Sequence, residues 1–403
     1  MTAMELGRAS ACDFAESEYD MRAEKARRLM AEHGLAVLLL TGEADFRYFA
    51  GFHTETWASP TRPRFLVLPA DGELVAVVPA SNLLAMRQAG VVDDVRTWNA
   101  PNPADEGVSL LADVIRQACP HGGALGVEMG PETRIAMPLA DVLRLRELVA
   151  PLSFCDSSVV IREVRRIKSS AEIANIRTVA RIVSDGFEAL STKFRVGMSE
   201  HEVGALLKAD ILSRGADKTP FMAVESGRSG YDKIITGPSH RRLEPGDLLF
   251  IDTGSTLNGY WCDFDRHFAV GHLADEARHA HELVYLATEA GLNAVRPGTR
   301  TCDVWSAMAA VMSESGTTGS VVGRMGHGLG LIPTGPPSLN ATDETVLEPG
   351  MVITIEPSMS YLCRDQPDRQ LLMVHEENVA VTDDGYELLS RRAPREIPIM
   401  GCA

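Results

Sequence analysis

Apolar positions recur at helical spacing over Glu16–Glu32 beneath a charged outer face, and Gly34 ends the pattern. A continuous apolar run at 35–40 follows, and it predicts a strand buried on both faces. Thr41-Gly42 closes that strand, Arg47 to Phe52 leads on past Pro60 and Pro63, and a second apolar stretch spans 65–69. Asp71-Gly72 marks a hairpin turn into a strand at 73–78. Strand-then-helix alternation continues to Val160, so this part of the chain predicts a small α/β domain.

The pattern then changes. Ser169 or Ser170 is a plausible N-cap for a helical pattern that runs to about Leu190. Ser199-Glu200-His201-Glu202 opens a second helix ending near Ser213. From Leu243 onward the sequence is strand-rich, broken by one long helix from about Asp275 to Ala294 and another near Cys302 to Ser313. The domain boundary is placed in 162–168, giving units of 1–164 and 165–403, with no low-complexity linker or short-period repeat.

Composition narrows the class. A chain of 403 residues with 45% apolar and 23% charged positions has enough material for a folded protein of two or three domains. Its net charge of −16 argues against a nucleic-acid surface, which needs clustered Lys and Arg. No run approaches the roughly 18 apolar residues of a membrane helix. The segment Met1 to Asp20 lacks the basic-then-apolar order of a secretion signal. Seven scattered cysteines without a Cys-x-x-Cys pair speak against a disulfide framework or a thiolate zinc site. The expectation is a cytoplasmic enzyme without nucleic-acid or membrane partners.

Four strand-borne carboxylates and one histidine stand out. Phe250-Ile251-Asp252-Thr253-Gly254 is apolar strand ending in an acid, and Asn258-Gly259 is a hairpin signal that would place Asp252 and Asp263 on adjacent antiparallel strands. Such an acid costs desolvation unless a cation or donor meets it; the alternative is a pair of turn caps. Gly326-His327-Gly328-Leu329-Gly330 exposes an imidazole on a tight turn, and it lacks the spacing of a nucleotide loop. Val352 to Pro357 ends in Glu356, and a further strand predicted from Met373 to Thr382 carries Glu376 and Glu377. Acids inside strands need a reason. Hard oxygen donors with a single imidazole suit Mn, Fe, Co or Zn in a two-metal hydrolytic site.

The order Asp-x-Gly, Gly-Tyr-x-x-Asp, Gly-His-Gly-x-Gly, Ile-Glu-Pro and Glu-Glu-Asn-Val resembles the metal-dependent pita-bread family of methionine aminopeptidase, aminopeptidase P, prolidase and creatinase. The resemblance covers nearly the whole chain. It implies a creatinase-like α/β N-terminal domain, to which Gly34 to Phe52 belongs, and an α+β pita-bread catalytic domain opened by Arg166-Ile167-Lys168-Ser169. Carried over by position, it implies that Asp252, Asp263, His327, Glu356 and Glu376 hold two divalent transition-metal ions. It also implies that Glu356 carries the proton from water to the leaving nitrogen. A homodimer follows from the same resemblance, with Trp57, Arg62 and Arg64 reaching the partner's site; the alternative is that Trp57 packs in the small domain's own core.

Departures from the family pattern bear on substrate. The peptidases carry a histidine before Pro245-Gly246-Asp247, where this chain reads Lys233-Ile234-Ile235-Thr236-Gly237, and a second one where Thr334 stands. The usual Asp-x-Thr-Arg becomes Asp263-Phe264-Asp265-Arg266, so Asp265 is either an added catalytic base or an ion pair with Arg266. Hydrolysis of a C–N bond in a small molecule or short peptide is the leading expectation, with a non-peptide amide preferred over Xaa-Pro peptides. A lyase or ring-opening enzyme on a small zwitterion, a genuine Xaa-Pro dipeptidase and a catalytically dead binding protein are the alternatives. Tyr231-Asp232-Lys233 either contacts substrate or forms a surface turn, His375 points away from Glu376, and Cys262 is a small buried hydrophobe.

Overall fold

The computed structural model describes residues 13–314, 323–364 and 366–400. It divides into two compact units that meet in sequence at Arg165 and Arg166. The first unit runs α1 (Glu16–Glu32), β1 (Val37–Leu40), α2 (Glu43–Ala50), β2 (Phe65–Pro69), β3 (Val75–Pro79), α3 (Leu83–Ala89), β4 (Asp94–Trp98), α4 (Val108–Ala118), β5 (Ala124–Val127), α5 (Leu139–Leu148), β6 (Ser153–Asp156) and α6 (Ser158–Arg166). Its six strands form one mixed sheet in the order β4-β3-β2-β1-β5-β6. The continuous apolar strands β1, β2 and β3 are buried along their whole length, and Leu111, Ile115 and Leu145 from α4 and α5 pack against them. This is the expected α/β layer, in which helices cover strands that have no polar face. Residues 43–50, read from sequence only as a connecting stretch, form α2.

The second unit begins with two helices whose starts were legible. Ser169 caps α7 (Ser170–Leu190) and Ser199 caps α8 (Glu200–Ser213), each in a reciprocal box with the Glu three residues on. Strands β7 (Lys218–Arg228), β8 (Asp247–Leu257) and β9 (Tyr260–Val270) make an antiparallel sheet, so the strand-rich region starts earlier than Leu243. Helices α9 (Asp275–Ala294) and α10 (Thr301–Glu314) follow. The remaining strands are β10 (His327–Gly328), β11 (Gly335–Ser338), β12 (Val352–Ile355), β13 (Ser358–Cys363), β14 (Gln366–Val374), β15 (Glu377–Val381), β16 (Tyr386–Leu388) and β17 (Ile399–Met400).

One expectation fails in an informative way. The single strand predicted from Met373 to Thr382 is two strands in two sheets: β14 pairs with β13, and β15 pairs with β12. The ladder runs Ile355↔Glu377 on one side and Ser358↔Val374 on the other. Between these rungs Glu356-Pro357 lies against His375-Glu376, joined by the His375 N–H donating to the Pro357 carbonyl at 3.2 Å. Pro357 has no N–H to return, so the ladder breaks there and both strands change sheets together. The break places Glu356 and Glu376 at the same structural joint.

Candidate metal centre

Asn258 and Gly259 both have positive φ, 50° and 76°, which is the primed turn that a two-residue hairpin requires. That turn fixes the β8–β9 register: Asp252 pairs directly with Asp265, and Gly254 with Asp263. Directly paired residues share a face, and so do residues two apart along a strand. Asp252, Asp263 and Asp265 therefore project from one face of the hairpin. The opposite face carries Phe264, whose ring lies 5.8 Å from that of Phe187 on α7, and Arg266.

His327 enters from β10. Its N–H donates to Thr354 Oγ1 at 3.1 Å, and the Glu356 N–H donates to the Met325 carbonyl at 2.9 Å, which stitches residues 325–327 to the end of β12. Gly326 has φ 142°, and a Cβ there would lie 2.2 Å from the Thr354 carbonyl oxygen. Only glycine permits that approach. Asp263, His327 and Glu376 bring ligand atoms to within 4.8 Å of one another. The imidazole Nε2 lies 4.0 Å from Asp263 Oδ2, 4.0 Å from Glu356 Oε2 and 3.9 Å from Glu376 Oε1. Nδ1 lies 3.1 Å from the Gly328 carbonyl, which can only accept, so Nδ1 carries the proton and Nε2 presents a lone pair.

The electrostatics of this cluster suit a cation. Burial pushes His327 down to about 4, so the ring is neutral at pH 7. Burial and then the neighbouring carboxylates hold Asp252 and Glu376 well above the usual carboxylate range. Asp263 is raised to about 8 by burial and Glu356, while burial raises Glu356 to about 7. Asp252 Oδ1, Asp263 Oδ1 and Glu376 Oε1 are buried without a hydrogen-bond partner among the described residues. Unpaired buried oxygens converging on an imidazole lone pair are costly alone. They match the hard-oxygen and imidazole preference of divalent transition metals.

The surrounding residues divide into props. Asp265 does not pair through its carboxyl with Arg266, because strand alternation sends the two to opposite faces. Its Oδ1 accepts the Glu376 N–H at 2.8 Å, and its Oδ2 is unpaired. Arg266 pairs instead with Glu377 at 3.0 Å. Asn378 clamps the Asp263 backbone, its Oδ1 accepting that N–H at 3.0 Å and its amide donating to the carbonyl. Tyr231 is fully buried rather than a surface turn; its ring stacks on Phe250, and its hydroxyl accepts the Val374 N–H at 3.1 Å and meets His267 Nε2 at 2.8 Å. His375 faces away from the cluster, with Nε2 2.8 Å from an Arg392 nitrogen and Nδ1 3.1 Å from Thr288 Oγ1. Cys262 is fully buried. His267, His281 and His375 line a cavity of about 10 Å³ behind Asp265.

Positions where the peptidases place histidines are open. Ile235 is 80% exposed, and Thr334 is exposed. Arg324, absent from the sequence reading, lies three residues before His327, and its charge pulls against the raised values of Asp263 and Glu356. No motif marks it, since it acts through proximity alone. In the first unit Trp57 packs on Phe46 at 5.1 Å, and the buried Arg64 donates to Asn82 Oδ1 at 2.8 Å and Thr56 Oγ1 at 2.6 Å; Arg62 is exposed.

Comparison with known proteins supplies the family. Residues 174–383 match metallopeptidase family M24, and residues 22–167 match the creatinase/prolidase N-terminal domain. "Probable dipeptidase PepE" of Mycobacterium tuberculosis is 31% identical over 377 residues, 92% of this chain and 94% of that protein. The recombinant prolidase from Thermococcus sibiricus superposes with a TM-score of 0.83 at 27% identity, over 95% of this chain and 99% of that one. The dipeptidase PepE from Mycobacterium ulcerans gives 0.80 at 27% identity, over 96% and 99%. Nothing in these comparisons supports lyase or ring-opening chemistry. The two-part architecture and the relatives agree, and this chain belongs to metallopeptidase family M24 as a metal-dependent hydrolase.

Proposed function

We propose that the chain is a dipeptidase of the Xaa-Pro type, in which Asp252, Asp263, His327, Glu356 and Glu376 hold two divalent ions drawn from Mn, Fe, Co and Zn. The observation that carries this reading is the neutral Nε2 of His327 surrounded by Asp263, Glu356 and Glu376 at 3.9–4.0 Å. The named activities of the relatives move the substrate from a small amide to a dipeptide. Bound ions of this class supply Lewis acidity for the scissile carbonyl and bring the pKa of water from 15.7 to about 7.

The chain's own residues do the rest. Glu356, whose Oε2 stands 4.0 Å from His327 Nε2 within the donor cluster, is the carboxylate we assign to carry the proton, as the family resemblance implies for that position. It accepts the proton of the attacking water and returns it to the proline nitrogen as the carbon–nitrogen bond breaks. Asp265 fixes the Glu376 backbone, and Asn378 fixes that of Asp263, so the donors do not reorganise during turnover. Thr334 and Ile235 supply no imidazole, so oxyanion stabilisation falls on the cation site.

The test is metal analysis of the purified protein together with hydrolysis of Xaa-Pro and other dipeptides. Stoichiometric metal and dipeptide cleavage abolished by chelation are expected. Cleavage of small amides with no dipeptide turnover would refute the dipeptidase reading.

A further inference from the structure

Three buried histidines stand behind Asp265, and none of them belongs to the donor set. His267 comes from β9, His281 from α9 and His375 from the joint between β14 and β15. With Asp265 and Arg266 they line the cavity of about 10 Å³.

The hydrogen bonds fix which nitrogen of His267 carries a proton. Burial, and then His281, hold its pKa well below 6.5, so the ring is neutral and has one N–H. The Tyr231 hydroxyl accepts the Val374 N–H at 3.1 Å, and its own proton has one acceptor among the described residues, His267 Nε2 at 2.8 Å. Nε2 therefore accepts, and Nδ1 holds the ring proton. Nδ1 stands 3.9 Å from Asp265 Oδ2, too far for a direct hydrogen bond. Asp265 Oδ2 is buried without a hydrogen-bond partner among the described residues, and so are both nitrogens of His281, which lies near the Pro394 carbonyl.

A volume of about 10 Å³ is that of a single water, and a water is held where two to four polar groups converge. A metal ion fits poorly. His375 Nε2 faces an Arg392 nitrogen at 2.8 Å and Nδ1 faces Thr288 Oγ1 at 3.1 Å, so neither is left to ligate. An anion would meet the carboxylate of Asp265 in the same wall.

We propose that this cavity binds one water molecule, which accepts the His267 Nδ1–H and donates to Asp265 Oδ2, and that Tyr231 and His267 are thereby positioning residues for Glu376. The circuit leaves the backbone at the Val374 N–H, runs through Tyr231, His267, the water and Asp265, and returns at the Glu376 N–H, 2.8 Å from Asp265 Oδ1. Val374 and Glu376 flank His375, so the circuit braces the short turn that presents the Glu376 carboxylate. A carboxylate held at Oδ1 alone can still swing about its last bond, whereas one held at both oxygens has a single orientation. The inference is independent of the substrate, and it rests on the proposed function only in taking Glu376 as a metal donor.

The test starts with the metal-free full chain carrying isotope-labelled histidine. Proton–nitrogen NMR should show His267 with its proton on Nδ1 and in cross-relaxation contact with water. A proton on Nε2, or an Nδ1 proton without water contact, overturns the proposal without any substitution. Chelator competition then compares His267→Leu with His267→Asn, whose side-chain amide restores a donor near the Nδ1 position. His267→Leu should weaken metal binding by about 10-fold, and His267→Asn should recover most of it. Native metal affinity in His267→Leu overturns the positioning role. Replacement of the His267 Nδ1 proton by Zn on metal loading would place a metal ion in the cavity and overturn the water assignment. The stated proton position and water contact, in a protein whose metal binding survives Glu376→Ala, would uphold the water site and refute Glu376 as a metal donor.

Discussion

Asp265 Oδ1 accepts the backbone N–H of Glu376 at 2.8 Å, a bond across 111 residues of sequence that joins the β8–β9 hairpin to the joint between β14 and β15. That carboxylate thus orients Glu376, a proposed metal ligand, without itself facing Arg266.

Removing that acceptor should loosen the site. Asp265→Ala leaves a buried N–H unpaired, which costs about 1–3 kcal/mol. Loss of such an orienting partner should also weaken metal binding by about 10–100-fold. Competition with a chromogenic chelator measures the second effect, and an unchanged metal affinity would show that Asp265 does not orient Glu376.

Glu376 and Glu377 are adjacent yet should fail in opposite ways. Glu377 takes Arg266 at 3.0 Å, Arg392 at 3.1 Å and the Ala393 N–H at 2.8 Å. Glu377→Ala strands the buried Arg266 guanidinium, while the partly buried Arg392 keeps Glu289 at 2.8 Å, and should cost about 3–5 kcal/mol of stability. Glu376 Oε1 has no hydrogen-bond partner among the described residues, so Glu376→Ala should abolish metal retention while the metal-free protein unfolds at no lower urea concentration. Mass-spectrometric metal content and urea titration of the metal-free forms separate the two, and identical profiles would contradict this division.

Gly326→Ala should disturb the imidazole through the backbone. Its Cβ would meet the Thr354 carbonyl oxygen at 2.2 Å, and φ 142° is strained for any side chain. A cost of about 1–3 kcal/mol is expected from the backbone alone. Weakened metal binding should accompany it, because His327 is the next residue. A thermal melt and metal analysis check both, and a variant with native metal affinity would show that the segment tolerates displacement.

The histidine group behind the centre predicts acid sensitivity. Burial, opposed by the nearby Pro394 carbonyl, takes His281 from its ordinary 6.5 down to about 4. The folded state therefore binds the proton less well than the unfolded chain. The stability it contributes is complete above about 6.5 and is lost as pH falls toward 4. The effect is on the order of 3 kcal/mol. His281→Gln should flatten the stability curve between these pH values, as read by urea unfolding at several pH values. An unaltered slope would mean His281 is protonated in the folded protein.

Much of this was legible locally. The helix starts near Ser169 or Ser170 and at Ser199 were legible, and the structure selects Ser169 and Ser199 as caps because each has a Glu three residues on that completes a reciprocal box. Asn258-Gly259 required a hairpin because few other pairs accept two positive φ values, and that turn alone set Asp252 opposite Asp265. The convergence of Asp263, His327, Glu356 and Glu376 was legible because charge at the end of an apolar strand is expensive wherever the strand packs. The burial of Tyr231 was not legible, since its stacking on Phe250 depends on a strand 19 residues further on.

The sequence by itself determined the elements whose cause lies within a few residues: capped helices, the primed hairpin, the buried strands and the chemical character of the donor set. Tertiary structure alone decided where the strand predicted at 373–382 divides, because the division answers to Pro357, which lies between β12 and β13 and offers no N–H. It also decided that Asp265 serves Glu376 and that the charge of Arg324 acts on Asp263 and Glu356. Local pattern fixes what a residue can do, but partners brought together from 100 or more positions away fix which of its options are left open, because hydrogen bonds and charges act over ångströms rather than along the chain.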